Sequence, residues 1–238
     1  MSSKHPYLDF DQLKSITIIT GTLVNHSPLR IGVGGEPPLG SSVDAAVLRL
    51  KHHRGVIPYI PGSSLKGIFR TFVEQSARSK GVNVHPPWNP PNIEIDKQNP
   101  QPCDVCGIFG NTRVASHVRV YDALPSSNPK SFVKTGVSID REFGGQRPRL
   151  LYTEEFVPPM VEWCFRMDVI NIGFPANEKI DDNRVEMLGT LFETLKQQGL
   201  QVGARRSVGA GLFNLRELSW IKYSPRNGFL EKVGDGNL

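Results

Sequence analysis

Apolar positions change their spacing several times along the chain, and each change marks an element. Residues 15–24, SITIITGTLV, alternate and are rich in Ile and Thr, which predicts a strand. Residues 44–50, DAAVLRL, predict a short second extended piece after a loop rich in Gly and Pro. Leu65, Ile68, Phe69, Phe72 and Val73 then recur at the spacing that lines one face of a helix, over about 64–79. Ser63 or Ser64 suits its N-cap, the turn Pro61-Gly62 precedes it, and Gly81 lies just past its end. Residues 81–112 are Pro-rich with little periodicity, the mark of an insertion. A strand is predicted at 117–123, then a basic, Gly-containing excursion over 134–150, then strands at 151–157 and 161–172. Met187, Leu188, Leu191, Phe192 and Leu195 share one face of a second helix over about 184–197, with Asp181, Asp182 or Asn183 as cap and Gly199 as stop. The last strand is expected near 211–221.

Stripped of its excursions, this order is strand, helix, strand, strand, helix, strand. It predicts a single α+β domain over 1–238 with a modified ferredoxin-like (RRM-like) core, interrupted by the insertion at 81–112 and the excursion at 134–150. RRM domains bind RNA by stacking bases on aromatics of the open sheet face. No such aromatic pair stands on the predicted central strands here, so RNA would have to be held by loops and helix ends.

A chain of 238 residues is long enough to bury one good core. It has no run of about 18 apolar residues and no apolar opening segment, so neither a membrane span nor a secretory signal is predicted, and a cytoplasmic location is expected. Three cysteines cannot make a disulfide framework; Cys103 and Cys106 form a CxxC suited to metal or redox chemistry, and Cys164, in VEWCFRM, is expected in the core. The net charge of +5 says less than its distribution. Residues 28–70 carry six Lys/Arg against two Asp/Glu, 113–149 seven against three, and 203–238 six against three, whereas 150–202 carry four against nine. Three basic segments brought together by folding would suit a phosphate backbone.

Two stretches could meet such a backbone directly. The capped helix start offers free N–H groups and a positive dipole end, with Lys66 and Arg70 flanking the apolar stripe. An ordinary capped helix with solvated cations has the same pattern. The second stretch, VGARRSVGAGLF at 202–213, sets Gly203, Gly209 and Gly211 around Arg205 and Arg206. Glycines let a backbone approach phosphates and arginines supply forked donors, although a tight turn into the last strand uses the same residues.

Five motifs occur in an order that resembles the RAMP superfamily of CRISPR proteins: IPGSSLKGIFR, CDVCGIFGN, GVSIDR at 136–141, LYTEEFVPP at 151–159 and GARRSVGAGLF. The resemblance covers roughly 15–218 and is nearest to the Cas-seven-type backbone subunits of type III effector complexes. It implies a subunit that holds CRISPR RNA, assembles with other effector subunits including further copies of itself or its homologues, and cleaves guide-paired, single-stranded target RNA; the alternative is a non-catalytic RNA-binding scaffold of the same kind. It further implies that Ser63, Ser64, Lys66 and Arg70 meet guide phosphates, and that the excursion with Arg141, Arg147 and Arg149 is the thumb, a hairpin reaching across the guide–target duplex.

In catalytic members the cleaving aspartate lies in the loop before IPGSSLKG, and the match here is Asp44 in GEPPLGSSVDAAVLRL, with Glu36 nearby. Such a carboxylate would hold Mg²⁺ or a similar divalent ion together with phosphate oxygens and waters, or orient the attacking 2′-hydroxyl. It could equally cap a turn or pair with an arginine. Related proteins carry a His/Cys zinc motif in the Pro-rich insertion, which implies structural Zn²⁺ on His85, Cys103 and Cys106, with Asp96, Glu94, Asp104 or His117 as the fourth ligand. A third activity, processing of precursor RNA by a histidine near the first helix, would fall to His52 or His53, but the motifs match the backbone group better.

Overall fold

The computed structural model describes residues 7, 9–35, 40, 42–85, 102–111, 114–175 and 182–238. Glu36, Glu94 and Asp96 lie outside them, as does the side chain of Arg149. The strands are β1 (Ile16–Asn25), β2 (Arg49–His52), β3 (Gly55–Pro58), β4 (Val118–Val120), β5 (Leu124–Pro125), β6 (Phe132–Ile139), β7 (Gln146–Phe156), β8 (Val161–Ile170), β9 (Leu200–Gln201), β10 (Leu212–Arg226) and β11 (Phe229–Asn237). The helices are α1 (Gly62–Ser79), α2 (Asp104–Phe109) and α3 (Asn183–Gln197).

The main sheet runs β11-β10-β1-β8-β4, with every pairing antiparallel. With α1 between β1 and β4 in sequence and α3 between β8 and β10, this α+β order is compatible with a ferredoxin-like core. Side chains alternate across each strand, and in β8 the alternation sends Val161, Trp163, Phe165, Met167 and Val169 inward. They meet Leu65, Phe69 and Val73 of α1 and Leu188, Leu191, Phe192 and Leu195 of α3 in one buried cluster, with Phe69 edge-on to Phe165 at 6.2 Å. Cys164, expected in the core, is exposed, because that alternation places it opposite Trp163 and Phe165. Its face of the sheet also bears Glu162, Arg166 and Asp168, and the 40% exposed Tyr121 lies there under Arg166, donating its hydroxyl to Asp168 at 2.7 Å.

Both long helices fall where their periodicity places them, but the start of α1 differs. The helix begins at Gly62 after Pro61, and neither Ser63 nor Ser64 supplies a cap. Asp122, just beyond β4, accepts a hydrogen bond from the Gly62 N–H at 2.8 Å, so the cap comes from a distant segment. This close packing requires glycine, since a Cβ at residue 62 would lie 2.1 Å from the Val120 carbonyl oxygen.

The excursion expected at 134–150 and the strand expected at 151–157 form one long hairpin, β6 paired with β7 from Phe132–Phe156 outward to Ile139–Gln146. Beyond the expected last strand, β10 continues to Arg226 and turns into β11. Asn227 and Gly228, both with positive φ (50° and 84°), make that turn. The region 44–50 divides: Ala45 bridges to Glu154 of β7, Val47 bridges to Gly32, and β2 pairs with β3 as a separate hairpin.

Candidate nucleic-acid interface at the base of the β6–β7 hairpin

The end of β7, Tyr152 to Phe156 in LYTEEFVPP, is where the separated motifs meet. Alternation sends Thr153 and Glu155 to one side of the hairpin and Tyr152, Glu154 and Phe156 to the other. On the first side lies Asp44. Its Oδ2 accepts hydrogen bonds from the Thr153 N–H at 2.6 Å and the Thr153 hydroxyl at 2.9 Å, and the Asp44 N–H donates to that hydroxyl at 3.1 Å. The main-chain bonds Ala45 N–H to Thr153 O and Glu155 N–H to Ala45 O fasten the same loop. Hydrogen bonds from Thr153 hold the exposed Asp44 carboxyl below the usual aspartate range. A carboxylate so held is a poor proton acceptor and stays ionised.

Beside it, Glu155 accepts two bonds from Arg49, at 2.8 and 2.6 Å, and further bonds from Ser131 and the Val47 N–H. The Arg49 guanidinium pushes the Glu155 carboxyl down to about 2, over the opposing effect of burial. Glu155 thus secures the loop after Asp44, and Thr153 secures Asp44 itself.

On the other side, the buried Glu154 carboxylate binds two guanidiniums, those of Arg30 and Arg205. Arg205 Nε reaches both Glu154 oxygens, at 3.0 and 2.9 Å, while its guanidinium lies 5.0 Å from the centre of the Tyr152 ring. The Gly-rich loop is bent so that this can happen. Arg205 is left-handed at φ 62°, a 3-10 turn spans Arg206–Val208, and Gly209 and Gly211 follow at φ 84° and 78°. The Gly203 N-terminal side is pressed on Arg30, whose carbonyl oxygen would lie 2.2 Å from a Cβ at residue 203.

The residues expected at phosphates therefore divide by what they already bind. Arg205 gives its Nε–H to Glu154, and its terminal amino groups take no part in that pair. Arg70 is committed, donating to Glu74 at 2.7 Å and to the Gly110 carbonyl at 2.9 Å, so it ties α1 to the end of α2. Ser63 is exposed and Ser64 half-buried on the first turn of α1, whose leading amide is already taken by Asp122. Lys66 is half-buried, and burial followed by the charge of Arg70 lowers its pKa, so it gains from an added anion. Arg141 and Arg147 stand exposed at the tip of the hairpin around Phe143, which is 87% exposed, and Arg206 is exposed on the Gly-rich loop. Among the described residues, none of these three arginines has a carboxylate partner.

A second cluster lies at the far side of α1. His85, Cys103 and Cys106 bring their ligand atoms within 4.8 Å of one another, with Cys106 Sγ 3.7 Å from His85 Nδ1. The hydrogen bond between the two thiols lowers the Cys103 pKa and raises that of Cys106. Asp104, one expected fourth ligand, instead accepts bonds from Tyr7 and Asn183, and His117 is buried against Phe10 with its Nε2 2.9 Å from Asp9. The His52 and His53 rings lie 4.0 Å apart, tilted by 41°, at the β2–β3 turn, where Arg54 donates to the carbonyls of Pro125 and Ser126.

Tyr152, Thr153, Glu154, Glu155, Arg30 and Arg49 were not singled out as site residues by the pattern of the chain. Two adjacent acids on a strand beside a basic excursion were the available signal, because strand alternation must send them to opposite sides.

Two comparisons bear on this arrangement. The chain aligns with the CRISPR system Cmr subunit Cmr6 of Pyrococcus furiosus at 25% identity over 249 residues, covering 87% of this chain and 71% of that protein. The family model described as the RAMP superfamily matches residues 22–214, a span that takes in α1, the CxxC, the hairpin, β8 and α3. With the match extending over most of its length, the chain belongs to the RAMP superfamily.

Proposed function

We propose that this chain is a subunit of a type III CRISPR effector complex that grips CRISPR RNA and uses Asp44 with Mg²⁺ or a similar divalent ion to cleave guide-paired target RNA. The observation that carries this reading is the convergence on β7. One five-residue strand end fixes the Asp44 loop, the Gly-rich loop and the hairpin relative to one another. Superfamily membership and the similarity to Cmr6 support its place in such a complex. The exposed cations Arg141, Arg147 and Arg206, with Lys66, supply charge for phosphates. Partners under this reading are the guide, the single-stranded target and neighbouring subunits, including copies or homologues of this chain.

Asp44 keeps one carboxylate oxygen outside the Thr153 clasp and would hold a divalent ion with it, RNA phosphates and waters being the ordinary further ligands of such an ion. The ion would polarise the scissile phosphate and favour attack by the adjacent 2′-hydroxyl; Thr153 keeps the carboxylate charged and aimed.

The test compares wild type, Asp44→Asn and Asp44→Ala in the reconstituted complex, on guide-complementary RNA with Mg²⁺. Asn retains an acceptor for Thr153 and removes the charge. Loss of cutting by 100-fold or more in both variants, with target binding intact, makes Asp44 the cleaving carboxylate. Full activity in Asp44→Asn leaves Asp44 as a loop clasp and the subunit as a scaffold.

His85, Cys103 and Cys106 form a soft donor set that fits structural zinc, which would tie the two ends of the Pro-rich insertion to α2. Elemental analysis of the purified protein should find about one zinc per chain, falling in Cys103→Ser. Zinc-free protein with unchanged stability would remove the metal from the account.

A further inference from the structure

The open face of the main sheet carries one fixed pile of side chains, at the edge where β8 meets β4. Arg166 of β8 donates from Nε and Nη2 to the two oxygens of Asp168, at 3.0 and 3.3 Å. Tyr121, the residue after β4, shares that carboxylate through its hydroxyl, and its main-chain N–H donates to the Arg166 carbonyl at 3.1 Å. The Arg166 guanidinium carbon is thereby held 4.7 Å from the centre of the Tyr121 ring. Asp168 is buried under the two side chains it orients, while the Arg166 side chain remains 46% exposed.

What lies beside the pile is uncharged. Strand register sets Thr20 and Ser219 in line with Arg166, and Ile18 and Ile221 in line with Asp168. A phosphate gains nothing from such a floor, whereas the flat apolar face of a nucleobase does. Tyrosine rings and guanidinium planes are also the surfaces on which unpaired bases stack. The rim is cationic, since Arg119 is exposed opposite Asp168 on the same face. The pile also adjoins the start of α1 across the β4 edge: Asp122, next to Tyr121 in the chain, caps the Gly62 N–H, and Gly62 is pressed on the Val120 carbonyl.

We infer that the β4–β8 edge of the open sheet face is a platform for one unpaired base of single-stranded RNA, stacked on the Tyr121–Arg166 pair, with Arg119 toward the phosphate of the same nucleotide. This rests on the RNA-binding reading above and extends it to a face that reading leaves unused: RNA held by Ser63 and Lys66 at the start of α1 turns over the β4 edge and lays a nucleotide on the sheet. The face thus does what an RRM sheet does, but with a tyrosine and an arginine at its edge in place of aromatics on its central strands. The Nη1 group of Arg166 takes no part in the Asp168 pair and suits a carbonyl oxygen of the base or the phosphate beside it.

The probe is single-stranded RNA of guide length carrying one 4-thiouridine at successive positions, bound to the assembled complex and irradiated. One position, or one repeated position where copies of the chain repeat, should crosslink to the peptide that contains Tyr121. An abasic nucleotide at that position should lower affinity by about five- to one-hundredfold. Tyr121→Leu should lower it to the same extent, and Arg166→Lys, which keeps the charge without the plane, should act likewise. On the abasic RNA neither substitution should cost anything more, because both changes remove one contact. Losses that simply add would give Tyr121 and Arg166 a structural role and overturn the platform. Crosslinks elsewhere on the chain with none at Tyr121 overturn it while leaving RNA binding intact, and failure of the complex to bind any of the RNAs overturns the wider reading instead. If a neighbouring subunit covers this face, Tyr121→Leu will weaken assembly and the Tyr121 peptide will stay free of RNA, which also overturns the proposal.

Discussion

An acid that accepts several hydrogen bonds stays charged, and that charge becomes part of what folding must preserve. Glu155, pushed down to about 2 by Arg49, is such a group. Its folded pKa lies below the unfolded value near 4.5, so its stabilisation is complete above that value and is lost as the pH falls toward 2. Replacing it with Gln is expected to cost about 2–3 kcal/mol at pH 7, because Arg49 is left in a half-buried site without its partner. Urea unfolding of wild type and Glu155→Gln should show this gap narrowing steadily between pH 5 and pH 3; a gap that does not change would mean that Arg49 is held by something else. The residue scale is also where the chain was least legible. Lys66, Arg70 and Arg205 look alike as basic residues near turns, yet Glu74 and Glu154, four and fifty-one positions away, bind two of them inside the fold. Likewise Asp44 could be picked out from its loop, but the Thr153 clasp that keeps it ionised depends on a strand pairing 109 residues along the chain.

The elements follow their local chemistry closely where periodicity is strong. α1, α3, β1 and β8 arise from clear apolar stripes or alternation and lie within a few residues of their expected spans. The sequence was misleading where an element depends on a distant partner: α1 takes its cap from Asp122, so the serines at its start are left free of that duty. β11 escaped notice because FLEKVGDGN is charged and almost wholly exposed, though Asn227-Gly228 announces its turn. The Gly-rich loop offers a test at this scale. Gly209 and Gly211 share a left-handed conformation, but only at Gly211 would a Cβ strike backbone, the Val202 carbonyl oxygen at 1.9 Å. Gly211→Ala should therefore cost about 3 kcal/mol or more and Gly209→Ala only about 1 kcal/mol, read as shifts in thermal unfolding. Equal costs would show that the loop can relax away from β9.

At the level of the whole molecule, the sheet order and the single core follow from the succession of elements, and the basic bias of three segments was visible as composition. What composition could not separate was charge spent on the fold from charge left for a partner. Arg30, Arg49, Arg70 and Arg205 face carboxylates, whereas Arg141, Arg147 and Arg206 face outward. RNA affinity should accordingly fall with salt, and neutralising Arg147 or Arg206 to Gln should reduce the slope of log affinity against log salt by about 0.7 each, the value for one contact to a single strand. Unaltered slopes would place the RNA on another surface. Among the described residues no helix is long and apolar enough to cross a membrane.

The two-sided end of β7 has a consequence for how this chain can change in length. Near the tip, where β6 and β7 are joined through the turn at 140–145, residues added in pairs lengthen the hairpin and leave every anchor in phase. A single residue inserted between Thr153 and Glu154 does the opposite: it puts the two out of phase, so the clasp on Asp44 and the carboxylate for Arg30 and Arg205 can no longer both be kept. Reach is thus open to variation by natural divergence or by design, while the count of residues at the root is fixed.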